Sequence, residues 1–166
     1  MDKEIDKKLT AYHEAGHIVI AYALRVKIEY GTINSNKKSF GHVRFLRDIK
    51  ELNPNRKLYK SFVNLSGYYS TKKYLIETNN YNKKNEKTCF NGSIGDLLLL
   101  ETEIDSDELN HVHKTTETLI NRFWPLIQNI ATVLCEKKIV FFNDIDEILK
   151  DYFTEKTEED ISLIVE

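Results

Sequence analysis

Apolar residues in the stretch 6–24 recur at three- and four-residue steps, at Leu9, Tyr12, Ile18, Val19, Tyr22 and Leu24, with no proline among them. That spacing predicts one helix across the stretch. After Gly16 the stretch is apolar on nearly every side, the pattern of a helix buried all round, so its second half is expected inside the fold or against its floor. The period then changes. Residues 27–33 alternate, 34–39 are polar, and 40–45 alternate again, which predicts a β-hairpin. Asn53-Pro54-Asn55 marks a turn, after which Leu58, Phe62, Leu65 and Tyr69 begin a second helical stripe expected to pack on the first.

Residues 78–91, TNNYNKKNEKTCFN, are polar and show no period, so they are expected to form a mobile surface loop bordering any cleft. Residues 92–100 read as a loop leading into a helix, with Ser93 as its N-cap and Leu97 to Leu100 buried. A long helix is expected over 106–137, and shorter ones over 143–152 and 158–165. Phe123, Trp124, Phe141, Phe142 and Phe153 stand at helical or end-of-helix spacing and are expected in the core. The fold class that follows is mainly α (α+β), with a small β-hairpin or sheet beside the first helix and a helical C-terminal half.

Composition narrows the picture further. A chain of 166 residues, 41% of them hydrophobic, is long enough for one core and short for two, so residues 1–166 are read as a single domain. The net charge of -2 provides no basic field for nucleic acid or an anionic membrane. No apolar stretch has the length of a membrane span, and the charged start MDKEIDKKLT does not resemble a signal peptide. Cys89 and Cys135 form neither a CxxC pair nor a framework, so both are expected as free thiols in a cytoplasmic setting. No pattern in the chain sets an oligomeric state.

The chemistry concentrates in His13-Glu14-Ala15-Gly16-His17. Histidines four apart project from one face of a helix and can hold one Zn²⁺ together. Glu14, beside that face, can accept the proton of a water that attacks a carbonyl. Gly16 lets substrate or another backbone approach closely. Two histidines leave a catalytic zinc site incomplete, and Arg25-Val26-Lys27 excludes the three-histidine extension. A carboxylate from a later helix is the remaining common solution. Weaker candidates are His111 and His113, which diverge on a helix and read as a solvated face; His42, a strand residue facing solvent or the cleft; and Cys89, which has no identifiable base.

The stretch from Leu9 to Ala21, LTAYHEAGHIVIA, closely resembles the opening of the peptidase domain of FtsH-type ATP-dependent zinc proteases. Gly41-His42-Val43-Arg44-Phe45 resembles that family's strand after the site helix, and Leu65-Ser66-Gly67-Tyr68-Tyr69 its helix with LxGGRAAE. Gly92-Ser93-Ile94-Gly95-Asp96-Leu97 resembles its GAxxDL segment, whose Asp is the third zinc ligand. The resemblance thus implies Zn²⁺ held by His13, His17 and Asp96, with Glu101 and Glu103 as lesser alternatives on the same helix. The chain departs from the pattern at Tyr68 to Thr71, where the acidic residue expected near Thr71 is missing, so hydrogen bonds supporting the site must differ. It also contains no GxxxxGK[ST] phosphate loop. The activity expected is therefore an ATP-independent zinc endopeptidase acting on peptides or unfolded protein segments. The rival reading is a protease-derived binding or regulatory domain with little hydrolytic activity. Retention of Glu14 favours the enzyme, because a structural zinc site has no use for a base.

Overall fold

The computed structural model describes residues 3–35, 40–46, 58–101, 104–154, 157, 161 and 164–165. Among them the chain is mainly helical with one small sheet. In order these elements are α1 (Lys3–Ala23), β1 (Ile28–Thr32), β2 (His42–Phe45), α2 (Tyr59–Glu77), α3 (Lys83–Gly92), α4 (Ile94–Glu101), α5 (Ser106–Arg122), α6 (Trp124–Lys137), β3 (Ile139–Phe141) and α7 (Phe142–Leu149).

The all-round apolar half of α1 makes it the central helix. Ile18, Val19, Ile20 and Ala21 are all fully buried, and α2, α6 and β1 pack around them. The helix stops at a left-handed residue, Arg25 (φ 61°). Arg25 N–H bonds the Tyr22 carbonyl, and Val26 N–H reaches back to Ala21 at 2.9 Å. These bonds satisfy the last carbonyls of α1 and turn the chain into β1. The expected hairpin forms as β1 and β2, antiparallel, with Gly31 opposite Val43 and Thr32 opposite His42. A third strand was not expected: β3 pairs antiparallel with the other edge of β1, giving the order β2-β1-β3. Three residues are too few to show a period, and their partner lies a hundred residues away in sequence.

Gly16 faces α2. A Cβ built on it stands 2.6 Å from the Ser66 carbonyl oxygen and 2.3 Å from Ser70 Oγ, so the close neighbour that Gly16 admits is the α2 backbone. Gly16→Ala is expected to lower the unfolding free energy by about 1–3 kcal/mol, because a backbone carbonyl cannot swing aside as a side chain can. Chemical denaturation measures this, and an unchanged midpoint would show that the crossing has slack.

Three expectations are corrected. The polar stretch 78–91 is not a loop: after a turn it becomes α3. The Asn82 side chain caps this helix by accepting from the backbone N–H groups of Lys84 and Asn85. Cys89 anchors it by burial against Leu9 and Leu75. Two buried positions in ten residues, only one of them apolar, leave no stripe to read. The single helix expected over 106–137 is two. Asp105 and Glu108 form a capping box that starts α5, and the chain breaks at Phe123, with Pro125 in the first turn of α6, where its missing N–H costs nothing. Of the aromatic residues expected in the core, Phe123, Trp124 and Phe153 are buried, whereas Phe141 and Phe142 are exposed. The Asn53-Pro54-Asn55 turn and most of 158–165 lie outside the described residues. No helix among the described residues is long and apolar enough to cross a membrane.

Candidate metal centre

His13 and His17 stand one turn apart on α1 and face α2. Nδ1 of His17 lies 2.7 Å from the Val63 carbonyl. Its N–H donates there, so in the neutral ring the other nitrogen, Nε2, faces the cleft as an electron-pair donor. Ser66 Oγ donates to the same carbonyl at 2.5 Å and sits 3.3 Å from His17 Nδ1. The two imidazoles rest on bare backbone. A Cβ on Gly67 would stand 2.6 Å from both His13 Cε1 and His17 Nε2, so any larger residue would push the rings apart.

Asp96 comes from the first turn of α4. Its Oδ2 lies 3.2 Å from His13 Nε2 and 3.5 Å from His17 Nε2, and the two Nε2 atoms are 3.0 Å from each other. Ligand atoms at 2.0–2.1 Å from a tetrahedral zinc stand about 3.3 Å apart. The triangle formed by the three donors therefore has the right edge length, and its N, N, O chemistry suits zinc. The fourth direction opens into a cleft of about 800 Å³ floored by α1, with β2 on one side and the α3–α4 junction on the other.

The packing that carries Asp96 differs from expectation. Leu97 is half-buried against the core, but Leu98 is exposed, and the side chains of Leu99, Leu100, Glu101 and Glu103 lie outside the described residues. Ser93 does not use its hydroxyl as an N-cap. It is fully buried and donates back to the Cys89 carbonyl at 3.0 Å, which joins α3 to α4 and sets the direction of the latter. The α4 helix thus rests on α2 and α3.

Glu14 is only 4% exposed and lines the same cleft. Burial raises its pKa above the ordinary carboxylate value, while the nearby His13 and His17 draw it down. Gly41 closes over it: a Cβ there would meet Glu14 Oε1 at 2.7 Å. Burial depresses the His17 pKa, but the Asp96 carboxylate and Glu14 outweigh it and lift the group to about 9. Burial would raise the Asp96 pKa, yet the His17 and His13 imidazoles hold it well below the usual carboxylate range.

Other candidates fall away on geometry. Burial pushes the Cys89 thiol up to about 12, the opposite of an activated nucleophile. Neither His111 nor His113 lines the cleft. They are not a solvated face either, since His113 Nδ1 pairs with the Tyr69 hydroxyl at 2.9 Å and His111 packs edge-on against Phe62. His42 does line the cleft. Where the family pattern would place an acid, Thr71 bonds the Gly67 carbonyl of its own helix. The support for His17 comes instead from the Val63 carbonyl, which has no side-chain signature in a sequence. Gly67 did leave a signal: a glycine inside a helical stripe costs about 1 kcal/mol relative to alanine and calls for a packing reason.

The chain matches no protein-family model, and no curated protein matches it.

Metal binding at this centre is expected to release a proton. With its pKa at about 9, His17 is protonated at pH 7 before a metal is added, so apparent zinc affinity should rise about tenfold per pH unit from 7 to 9 and then level off. Without metal the slope is reversed. A histidine raised from 6.5 to about 9 on folding contributes stability that is full below pH 6.5 and lost as pH passes 9. Chelator competition at pH 7, 8 and 9 measures the first effect, and a flat profile would show that the metal displaces no proton from His17 in this range.

Proposed function

We propose that this protein is a zinc-dependent, ATP-independent endopeptidase that hydrolyses peptide bonds in peptides or unfolded protein segments. The observation that carries the reading is the triangle of His13 Nε2, His17 Nε2 and Asp96 Oδ2, with edges of 3.0–3.5 Å, at the floor of a cleft that also holds the buried Glu14. The resemblance of residues 9–21 to FtsH-type peptidase domains supports it as well.

Zinc held by the three side chains would lower the pKa of a water to about 7 and polarise the scissile carbonyl. Glu14 takes the proton of that water as its oxygen adds to the carbonyl carbon, then delivers the proton to the leaving amine as the C–N bond breaks. Its burial favours this role, because a desolvated carboxylate holds a proton more readily than a solvated one. Asp96, kept ionised, supplies the negative charge that offsets the cation. The Val63 carbonyl keeps His17 in the ligating tautomer.

The test is elemental analysis of the purified chain together with cleavage of quenched fluorescent peptides and an unfolded protein. One zinc per chain is expected, with cleavage abolished by a chelator and restored by zinc. Stoichiometric zinc without cleavage would instead favour the binding-domain reading, and no zinc would remove the centre altogether.

A further inference from the structure

Four of the six glycines are explained by what they touch: a Cβ built on Gly16, Gly31, Gly41 or Gly67 would stand only 2.3–2.7 Å from its nearest neighbour. Gly92 and Gly95 are different. A Cβ on either meets nothing within 4 Å among the described residues. Their backbone does not call for glycine either, since no glycine of the chain has a positive φ. Both belong to helices, Gly92 as the last residue of α3 and Gly95 in the first turn of α4, where alanine is the favoured residue. Neither a turn nor a packing contact accounts for bare backbone at these two places. What they share is the cleft, which both line, and Asp96 follows Gly95 directly in the chain.

A separate feature marks the cleft as a place that receives a ligand. Glu14 is only 4% exposed and lines it, yet its carboxylate makes no hydrogen bond to a described residue. Buried polar groups are normally hydrogen-bonded, so the partner of Glu14 is what enters the cleft. An extended peptide advances about 3.3 Å per residue. The residues flanking a carbonyl held at the His13, His17 and Asp96 triangle therefore lie beside the wall that Gly95 and Gly92 form. The side chains bordering that wall are uncharged. Thr88 and Cys89 stand one turn before Gly92 on α3, Leu9 packs on Cys89 from α1, and Ile94, between the two glycines, is 40% exposed and lines the cleft with them. The one carboxylate of the cleft besides Glu14 and Asp96 is Asp6, and no arginine or lysine lines it among the described residues, which disfavours an acidic side chain. Resting on the peptidase reading, we propose that the open space over Gly92 and Gly95 is a specificity subsite, which takes a large uncharged side chain of the substrate next to the scissile bond.

The experiment uses the zinc-loaded full chain and quenched peptides that carry phenylalanine or alanine on either side of the scissile bond, each position varied in turn. Phosphinic pseudopeptides with a benzyl or a methyl side chain beside the phosphinate give the matching affinities. At one of the two positions the parent is expected to favour phenylalanine over alanine in kcat/KM by at least about tenfold. Gly92→Leu and Gly95→Leu, each of which starts from a Cβ that displaces no described residue, should lower that ratio by at least about tenfold. They should do so with zinc stoichiometry intact and a melting temperature no lower than the parent's, which a merely structural role for the glycines would not give. A parent without the preference, or variants whose ratio stays within about twofold of the parent's, would overturn the subsite while leaving the peptidase reading in place. If the parent binds zinc yet neither cleaves peptide nor binds a phosphinic peptide, the peptidase reading fails and this inference with it. If it binds the phosphinic peptides without cleaving, their benzyl-to-methyl affinity ratio decides in place of the cleavage ratio. Should a leucine variant not fold, Gly92→Ala and Gly95→Ala carry the same decision through a fall of about fourfold, the worth of one buried carbon.

Discussion

Glu14→Gln is expected to retain one zinc per chain and to lose peptide hydrolysis by at least about 10²- to 10⁴-fold. The amide has the shape of the carboxylate it replaces, which matters at a site only 4% exposed and pressed by Gly41 against Oε1. Glutamine fits there without a cavity or a clash. It cannot take a proton, however, and the cluster of candidate ligands, His13, His17 and Asp96, does not include Glu14. Metal content and turnover should therefore separate. Elemental analysis beside single-turnover cleavage reads both. Joint loss of metal and activity would make Glu14 a ligand, and retained cleavage would end its role as base.

The second large effect is at Asp96. Removing an outer partner of a metal ligand costs 10- to 100-fold in affinity, and Asp96→Ala, which removes a direct donor, is expected to cost more. Asp96→Asn should fall between the two, since it keeps one oxygen and loses the charge. The carboxylate is also the chief reason that the His17 pKa rises against its burial, so either variant should bring that pKa down and flatten the pH dependence of zinc uptake. Competition with a chromophoric chelator measures the affinity. Unchanged stoichiometry and affinity in Asp96→Ala would return the search to Glu101 and Glu103.

Legibility in the sequence followed locality. His13, Glu14 and His17 share one helix, so their convergence was readable from spacing alone, as were α1 and the β1–β2 hairpin from their periods. Asp96 was not readable that way. It stands on a different helix, and only the likeness of residues 92–97 to a known segment pointed to it. What escaped entirely depends on tertiary contact. The α3 helix is held by a cap and one buried cysteine within a polar run. The break at Phe123 interrupts a stripe that continues on both sides of it. The cradle for the two histidines consists of a carbonyl and a missing side chain, at Val63 and Gly67. Phe141 and Phe142 were misplaced because β3 turns one aromatic outward and α7 begins immediately with the other, an arrangement fixed by pairing with β1.

The position of Asp96 on α4, where Ile94 and Leu98 face solvent, gives the centre a mechanical side. A cation gripped at once by α1 and by Asp96 is a stitch between the central helix and a peripheral one, joining chain segments distant in sequence. Folded chains alone present all three donors together, so zinc at about a hundred times its dissociation constant adds about 2.7 kcal/mol to the folded state. That increment bears on a helix that rests on α2 and α3 rather than on the central helix. If the centre holds zinc as proposed, starvation for metal would loosen the wall of the cleft as well as empty the site, so the metal-free chain would be the more fragile one.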